Sequence, residues 1–163
     1  MALVAPMKIR ALASGDLPAL RDIAQIAVME SVDAPKMEKQ NILAGIAANL
    51  SLADSGSISG AFLISEIDAS PAGFILVKDY WNLSDLFVLP DHHGEGIGRA
   101  LWVTALTECE QYSEKNAIRV NSSLNAVEFY ESLGFRSMPA KAELPDWIVP
   151  LELALKQDRQ ARK

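Results

Sequence analysis

An α/β (α+β) fold in one domain, with a mixed, mostly antiparallel sheet and helices on both faces, is what this sequence predicts. Three observations carry that expectation. The apolar pattern switches between the 3.6-residue period of helices and the two-residue period of strands, in the order β-α-α-β-β-β-α-β-α-β-β. A strand, a glycine-rich loop, a helix and a second strand follow one another over residues 82–123, a crossover unit whose two strands pair in parallel with a right-handed connection. The 163 residues suffice for one sizeable core and fall short of two ordinary domains.

Each element has its own signal. "KIRAL" (8–12) alternates as a short strand. "SGDLPALRDIAQIAVMES" (14–31) offers Ser14 or Asp16 as a helix cap, Pro18 in the first turn, and Leu17, Leu20, Ile23, Ala24 and Ala27 on one face. A second helix follows Pro35 over "KMEKQNILAGIAANLSLAD", with Gly45 interrupting its pattern. "GAFLISEID" and "AGFILVKD" read as a hairpin turning at "ASP" (69–71), and "NLSDLFVL" (82–89) adds a third, antiparallel strand closed by Pro90. From Gly96 onward Ile97, Leu101, Ala105 and Cys109 repeat every four residues on a helix. "AIRVNSS" (117–123) is a strand, "NAVEFYESLG" a short helix stopped by Gly134, and "FRSMP" a strand again. "DWIVPLELAL" is the last strand, where Pro150 calls for a sheet edge or a bulge.

Composition narrows the function classes. Half of the residues are hydrophobic and 22% are charged, the balance of a globular protein and not of a disordered one. No apolar run is long enough to cross a bilayer, and "MALVAPMKIR" lacks the charged start and long apolar stretch of a signal peptide. Cys109 is the only cysteine, which excludes an intrachain disulfide and a cysteine-based metal site and fits a reducing cytoplasm. A net charge of −6 disfavours nucleic acid, whose phosphates need a basic face. No repeat or linker divides the chain, so residues 1–163 are expected to form a single domain with a core over about 7–156 and a frayed basic tail over 157–163.

The glycines at 94, 96 and 98 stand between a strand and a strong helix. A helix N-terminus presents unpaired N–H groups and a partial positive charge, and glycine lets a phosphate approach that backbone closely. Neither common nucleotide motif fits. The dinucleotide fingerprint needs glycine where Arg99 stands, and "GRA" lacks the Lys-Ser/Thr end of a P-loop.

Two motifs carry a resemblance. "LFVLPDHHGEGIGRAL" (86–101) resembles the acyl-CoA-binding motif of the GNAT superfamily of N-acetyltransferases, Arg/Gln-x-x-Gly-x-Gly/Ala after a strand ending Val-x-Pro. "NSSLNAVEFYESLGF" (121–135) is similar to that superfamily's second signature, Asn-x-x-Ala-x-x-Phe-Tyr-x-x-x-Gly-Phe. The resemblance implies transfer of an acetyl group from acetyl-CoA, without a metal, to a primary amine of a small molecule or of a protein or peptide. It also implies that the two parallel strands splay apart. The loop residues His93, Gly94, Glu95, Gly96, Ile97, Gly98 and Arg99 would then hold the pyrophosphate. The main chain of Leu86, Phe87 and Val88 would pair with the pantetheine arm, and Asn125 would lie near it or simply cap its helix. His93 stands where the family has Arg or Gln, offering one ring N–H in place of a longer donor, or only a solvated turn.

The resemblance gives Tyr130 the role of general acid toward the departing thiolate, against a plain core tyrosine bonded to a carbonyl. The base is not named. Asn82 and Ser84 occupy the family's usual positions and neither serves, while Asp85 points elsewhere unless a bulge turns it inward. A water-relayed base, or one outside the motifs, is the expectation. Glu30, Asp33, Glu38, Glu143 and Asp146, with Trp147, would give the acceptor side an acidic rim with an aromatic face. A catalytically degenerate acyl-CoA-binding or sensing module is the alternative, and family analogy admits a homodimer.

Overall fold

The structure, a computed structural model, describes residues 6–139 and 143–156. The expected tail over 157–163 lies outside the described residues. The elements are β1 (Met7–Ala11), α1 (Leu17–Ser31), α2 (Lys36–Ser55), β2 (Gly60–Ile67), β3 (Ser70–Lys78), β4 (Asn82–Val88), α3 (Ile97–Tyr112), β5 (Ala117–Ser123), α4 (Val127–Ser132), β6 (Arg136–Ser137) and β7 (Ile148–Ala154). Their order and type are those the sequence predicts. The strands form one sheet in the order β1-β2-β3-β4-β5-β7-β6, with every pair antiparallel except β4 and β5. No helix among the described residues is long and apolar enough to cross a membrane.

Strand alternation divides the core between the two faces. Ile64, Phe74 and Leu76 point toward α1 and α2, where Leu20, Ile23, Val28, Ile46 and Leu50 cover them. Their neighbours Leu63, Ile75 and Val77 point the other way, against Leu101, Trp102, Ala105 and Cys109 of α3. Cys109 is fully buried there, and burial pushes its thiol up to about 12.

Several local expectations are corrected. Gly45 does not break α2, which runs unbroken across it. The hairpin turns at Asp68 and Ala69, one residue earlier than "ASP", and the next at Asp79 and Tyr80; all four residues have φ between 50° and 66°. Left-handed backbone is the geometry of a tight hairpin, here adopted without glycine. Asp16 stands at the start of α1, but its carboxylate does not cap the helix. It accepts the fork of Arg10 at 2.9 Å and the Ala13 N–H at 2.8 Å, because a bidentate guanidinium outcompetes the helix amides. Pro150 lies in β7, an interior strand. Its carbonyl accepts from Met138 on the β6 side, where the two-residue β6 has ended, so its missing N–H costs no ladder bond.

Two features of the sheet position the site. The parallel pair is short: β4 and β5 are in register only at Asn82–Arg119 and Leu83–Val120. Beyond that point β4 stays paired to β3 as far as Val88, and β5 stays paired to β7 as far as Ser123. Each strand is thus braced on its outer side while the inner edges part. The second feature is a bulge. Leu76 of β3 faces Asp85 while Val77 faces Leu83, so Ser84 is an extra residue in β4. Leu83 and Leu86, three apart, consequently pack on the same α3 face, which a regular strand forbids.

β3 reaches this strand closely at Gly73, where an added Cβ would stand 2.9 Å from the Phe87 carbonyl oxygen and 3.1 Å from Val88 Cγ2. Gly73→Ala is therefore expected to destabilise the fold by about 1–3 kcal/mol through overpacking. Chemical denaturation at unchanged m value is the check.

Candidate active site

A cleft of about 660 Å³ opens between the parted ends of β4 and β5 and the start of α3. Gly94 and Gly96 both hold left-handed backbone, φ +83° and +81°, and nothing lies within 4 Å of where their Cβ atoms would be. Gly96 is the residue from which α3 starts, and its carbonyl accepts the first helical bond, from Ala100 N at 3.0 Å. Side-chain-free backbone therefore faces open space at the positive end of a 16-residue helix, which suits an anionic group. Gly98 is the second residue of α3, where a Cβ would come within 3.3 Å of Phe129. Glycine here lets α3 and α4 close the cleft's floor.

Of the residues the sequence proposes for the cofactor, Leu86, Phe87, Val88, His93, Gly94, Gly96, Ile97, Gly98, Arg99 and Asn125 all line this cleft. Glu95 does not line it; its carboxylate pairs with His92 Nδ1 at 3.0 Å. His93 lines the cleft with its ring turned back, Nε2 lying 3.0 Å from the Val88 carbonyl. A carbonyl only accepts, so Nε2 carries a proton, and that N–H is spent on Val88 and not on a phosphate. Asn125 is not the cap of α4. It sits in a single 3-10 turn (Leu124–Ala126), and its amide donates to the Ser31 carbonyl at the end of α1. That carbonyl is one of the orphans of a helix C-terminus, and satisfying it ties α1 to the cleft wall.

A second cavity, about 270 Å³, lies behind the fork on the α2 side. The two share Val32, Leu86, Phe87, Ser123, Ala126 and Tyr130 as lining, so they meet where the strands part. Asp85 lines the second cavity and is 4% exposed. The bulge at Ser84 turns it to this face; in a regular strand it would oppose Leu86's neighbours on α3. The condition set for Asp85 by the sequence is met.

The surroundings of Asp85 are specific. Its Oδ2 accepts from Ser84 Oγ at 2.8 Å and from Asn49 Nδ2 at 3.0 Å. Lys78 Nζ donates to Asn49 Oδ1 at 3.1 Å. An ammonium only donates, so Lys78 fixes which end of the Asn49 amide faces the carboxylate. Oδ1 of Asp85 has no partner among the described residues, yet no buried side-chain oxygen there is left unsatisfied, so Oδ1 opens onto the cavity. Burial raises the carboxyl to about 6, against the opposing hydrogen bonds from Ser84 and Asn49 and the charge of Lys78.

Tyr130 is 6% exposed and packs edge-on against Phe129 and Phe135, with centroids 5.3 and 5.5 Å away. Its hydroxyl bonds no protein group among the described residues and, by the same reasoning, reaches into the cavities it lines. The core tyrosine tied to a carbonyl is thereby set aside. Burial, and then the nearby charge of Asp85, raise its pKa, so the phenol keeps its proton.

The acidic rim expected from sequence does not form. Trp147 lines the second cavity, while Glu30, Asp33, Glu38, Glu143 and Asp146 line neither. Sequence reasoning also missed Asn49 and Lys78, which no motif marks.

The family model of the Acetyltransferase (GNAT) domain matches residues 50–152, and the chain belongs to that family. An uncharacterised N-acetyltransferase of Methanocaldococcus jannaschii is 29% identical over 103 residues, covering 53% of this chain and 42% of that protein, so the match spans less than half of the relative's length. Among solved structures, a GCN5-related N-acetyltransferase from Rhodopseudomonas palustris superposes with a TM-score of 0.76 at 19% identity, covering 95% of this chain and 99% of that one. The PaiA N-acetyltransferase of Thermoplasma acidophilum, solved with coenzyme A, gives 0.72 at 18% identity over 91% and 99%. The ribosomal-protein-S18-alanine N-acetyltransferase of Escherichia coli gives 0.67 at 21% over 93% and 96%. These likenesses establish the shared fold.

The raised Asp85 pKa has a consequence for stability. The folded state holds this proton more tightly than the unfolded chain, whose carboxyl titrates near the ordinary 3.8. Asp85's contribution to stability is thus most favourable below that value, falls as pH rises toward about 6, and stays lower above it. Two pH units of difference correspond to about 3 kcal/mol. Asp85→Asn keeps an acceptor oxygen and removes the charge, so its melting temperature is expected to exceed the wild type's at pH 8, with the gap closing by pH 4. Calorimetric scans at the two pH values test this.

Proposed function

We propose that this protein is an N-acetyltransferase that moves an acetyl group from acetyl-CoA to a primary amine by direct attack, with Asp85 accepting a proton and Tyr130 donating one. The observation that carries this reading is that an open carboxylate oxygen and an unpartnered phenol line the same second cavity, which meets the cleft at Tyr130. Acetyl-CoA, when bound, supplies an activated acetyl group whose transfer makes an amide and frees a thiol. The backbone at Gly94, Gly96 and Gly98 receives its pyrophosphate, and the open inner edge of β4 at Leu86–Val88 offers main-chain groups to its amides.

Two protons have to move. An alkylamine is mostly protonated at neutral pH and attacks only when neutral. A carboxyl near 6 is ionised there, yet basic enough to take the proton at Oδ1 as the nitrogen turns acidic during attack. Asn49 and Ser84 hold Oδ2, which fixes the direction Oδ1 faces. The Tyr130 hydroxyl, still protonated, gives its proton at the leaving sulfur. Asp85 at the fork also supplies the carboxylate whose absence from positions 82 and 84 favoured an inert acyl-CoA-binding module.

Four outcomes are expected. Steady thiol release from acetyl-CoA with at least one primary amine supports turnover; tight acetyl-CoA binding with no acceptor from a broad panel would restore the inert module. Asp85→Asn is expected to lower kcat/KM by about 10²–10⁴ and to erase the rise in rate as pH passes about 6, while Tyr130→Phe lowers kcat at least about tenfold with acetyl-CoA affinity little changed. Gly96→Asp, which puts bulk and negative charge on left-handed backbone, is expected to abolish acetyl-CoA binding in calorimetry while circular dichroism stays native.

A further inference from the structure

Resting on that acetyl transfer, we infer that the acceptor is a compact monoamine with an apolar, ring-sized body, seated in the second cavity with its nitrogen at Asp85. The walls of that cavity are Val32, Ile42, Ile46, Leu83, Trp147 and Ile148. Among the described residues, Asp85 and Tyr130 are the only ionisable ones lining it; Lys78 stands behind Asn49 and does not line it. Most of the polar side chains are already engaged: Asn49 and Ser84 with Asp85, and Ser122 with the Ser123 carbonyl at 2.7 Å. The site therefore holds one counter-charge for one ammonium. An α-carboxylate entering with the amine meets no cation, and a second ammonium meets no second anion. An unpaired buried ion is strongly disfavoured, whereas an apolar body loses only water.

Size points the same way. An apolar cavity of roughly 150 Å³ holds benzene. The 270 Å³ here leaves room for a ring and a short arm bearing the amine. Gly45 adds a separate observation. It lies within the 20-residue α2, lines this cavity, and has nothing within 4 Å of its missing Cβ. A glycine inside a helix costs stability relative to alanine, and here no close neighbour demands it. Gly45 is exposed, so what its bareness provides is open space at the mouth of the cavity on the α2 side.

The test compares four acceptors on the full chain with acetyl-CoA: 2-phenylethylamine, spermidine, free phenylalanine, and a short peptide with an N-terminal alanine. Thiol release gives kcat/KM for each, and calorimetry in the presence of CoA gives binding of each. The expected result is a kcat/KM for 2-phenylethylamine at least about tenfold above the other three, a small share of what an unpaired buried charge costs. Gly45→Leu is expected to raise the KM for 2-phenylethylamine at least about tenfold with acetyl-CoA affinity unchanged, by filling the cavity. Ile42→Glu, which adds a second carboxylate, is expected to move the ratio of spermidine to 2-phenylethylamine up by at least about tenfold. Equal or faster turnover of spermidine, phenylalanine or the peptide by the unmodified protein overturns the acceptor class and leaves acetyl transfer standing. Selective binding of 2-phenylethylamine with no thiol release from any amine does the reverse. Neither binding nor release defeats both.

Discussion

Between Leu83 and Asp85, β4 carries one residue more than the stretch of β3 beside it, and the insertion works on two scales. Locally it reverses the alternation of side chains, so that a carboxylate which would otherwise face α3 comes to face α2 and the second cavity. At the level of the sheet it falls just where β4 loses its parallel partner. Bulges bend a strand and increase its twist, and beyond this one β4 has no further partner in β5. The same residue thus marks where the fork begins and turns Asp85 toward the second cavity.

The opened fork would be weak if its two lips were free, but neither is. β3 holds one lip through Val88 and β7 holds the other through Ser123, with the Leu124 N–H continuing to the Trp147 carbonyl at 3.2 Å. Exposed main-chain groups are therefore presented from rigid strands, where a ligand finds them in place. Asp85 is rigid for a related reason. Lys78, Asn49 and Ser84 constrain one oxygen and leave the other unbonded, and the burial that costs stability is what raises its basicity. The site keeps a strained charge because the surrounding sheet and helices hold it there.

Much of this was readable in the chain. The order of all eleven elements follows from apolar period alone, and the glycine spacing at 94–98 marks the helix start that forms the cleft. Asp85 was harder. Ser84 and Asp85 are both polar, so a one-residue slip between them leaves no trace in hydrophobic alternation. The hairpin turns were misplaced because Asp68, Ala69, Asp79 and Tyr80 take left-handed backbone that residue type does not advertise. Asn125 looked like a cap because it precedes a helix, yet its partner is a carbonyl 94 positions away in sequence. Long-range partners of this kind, like Asn49 and Lys78, depend on how the helices lie on the sheet, which no local pattern encodes.

Cys109 sits fully buried on α3, with its thiol pushed up to about 12. Only the thiolate reacts with disulfide reagents, so this sulfur is doubly silent: out of reach and protonated. In the native protein any rapid thiol signal during turnover then belongs to released coenzyme. Slow labelling of Cys109 would instead clock how often α3 lifts from the sheet, making the chain's only thiol a built-in reporter of its own opening.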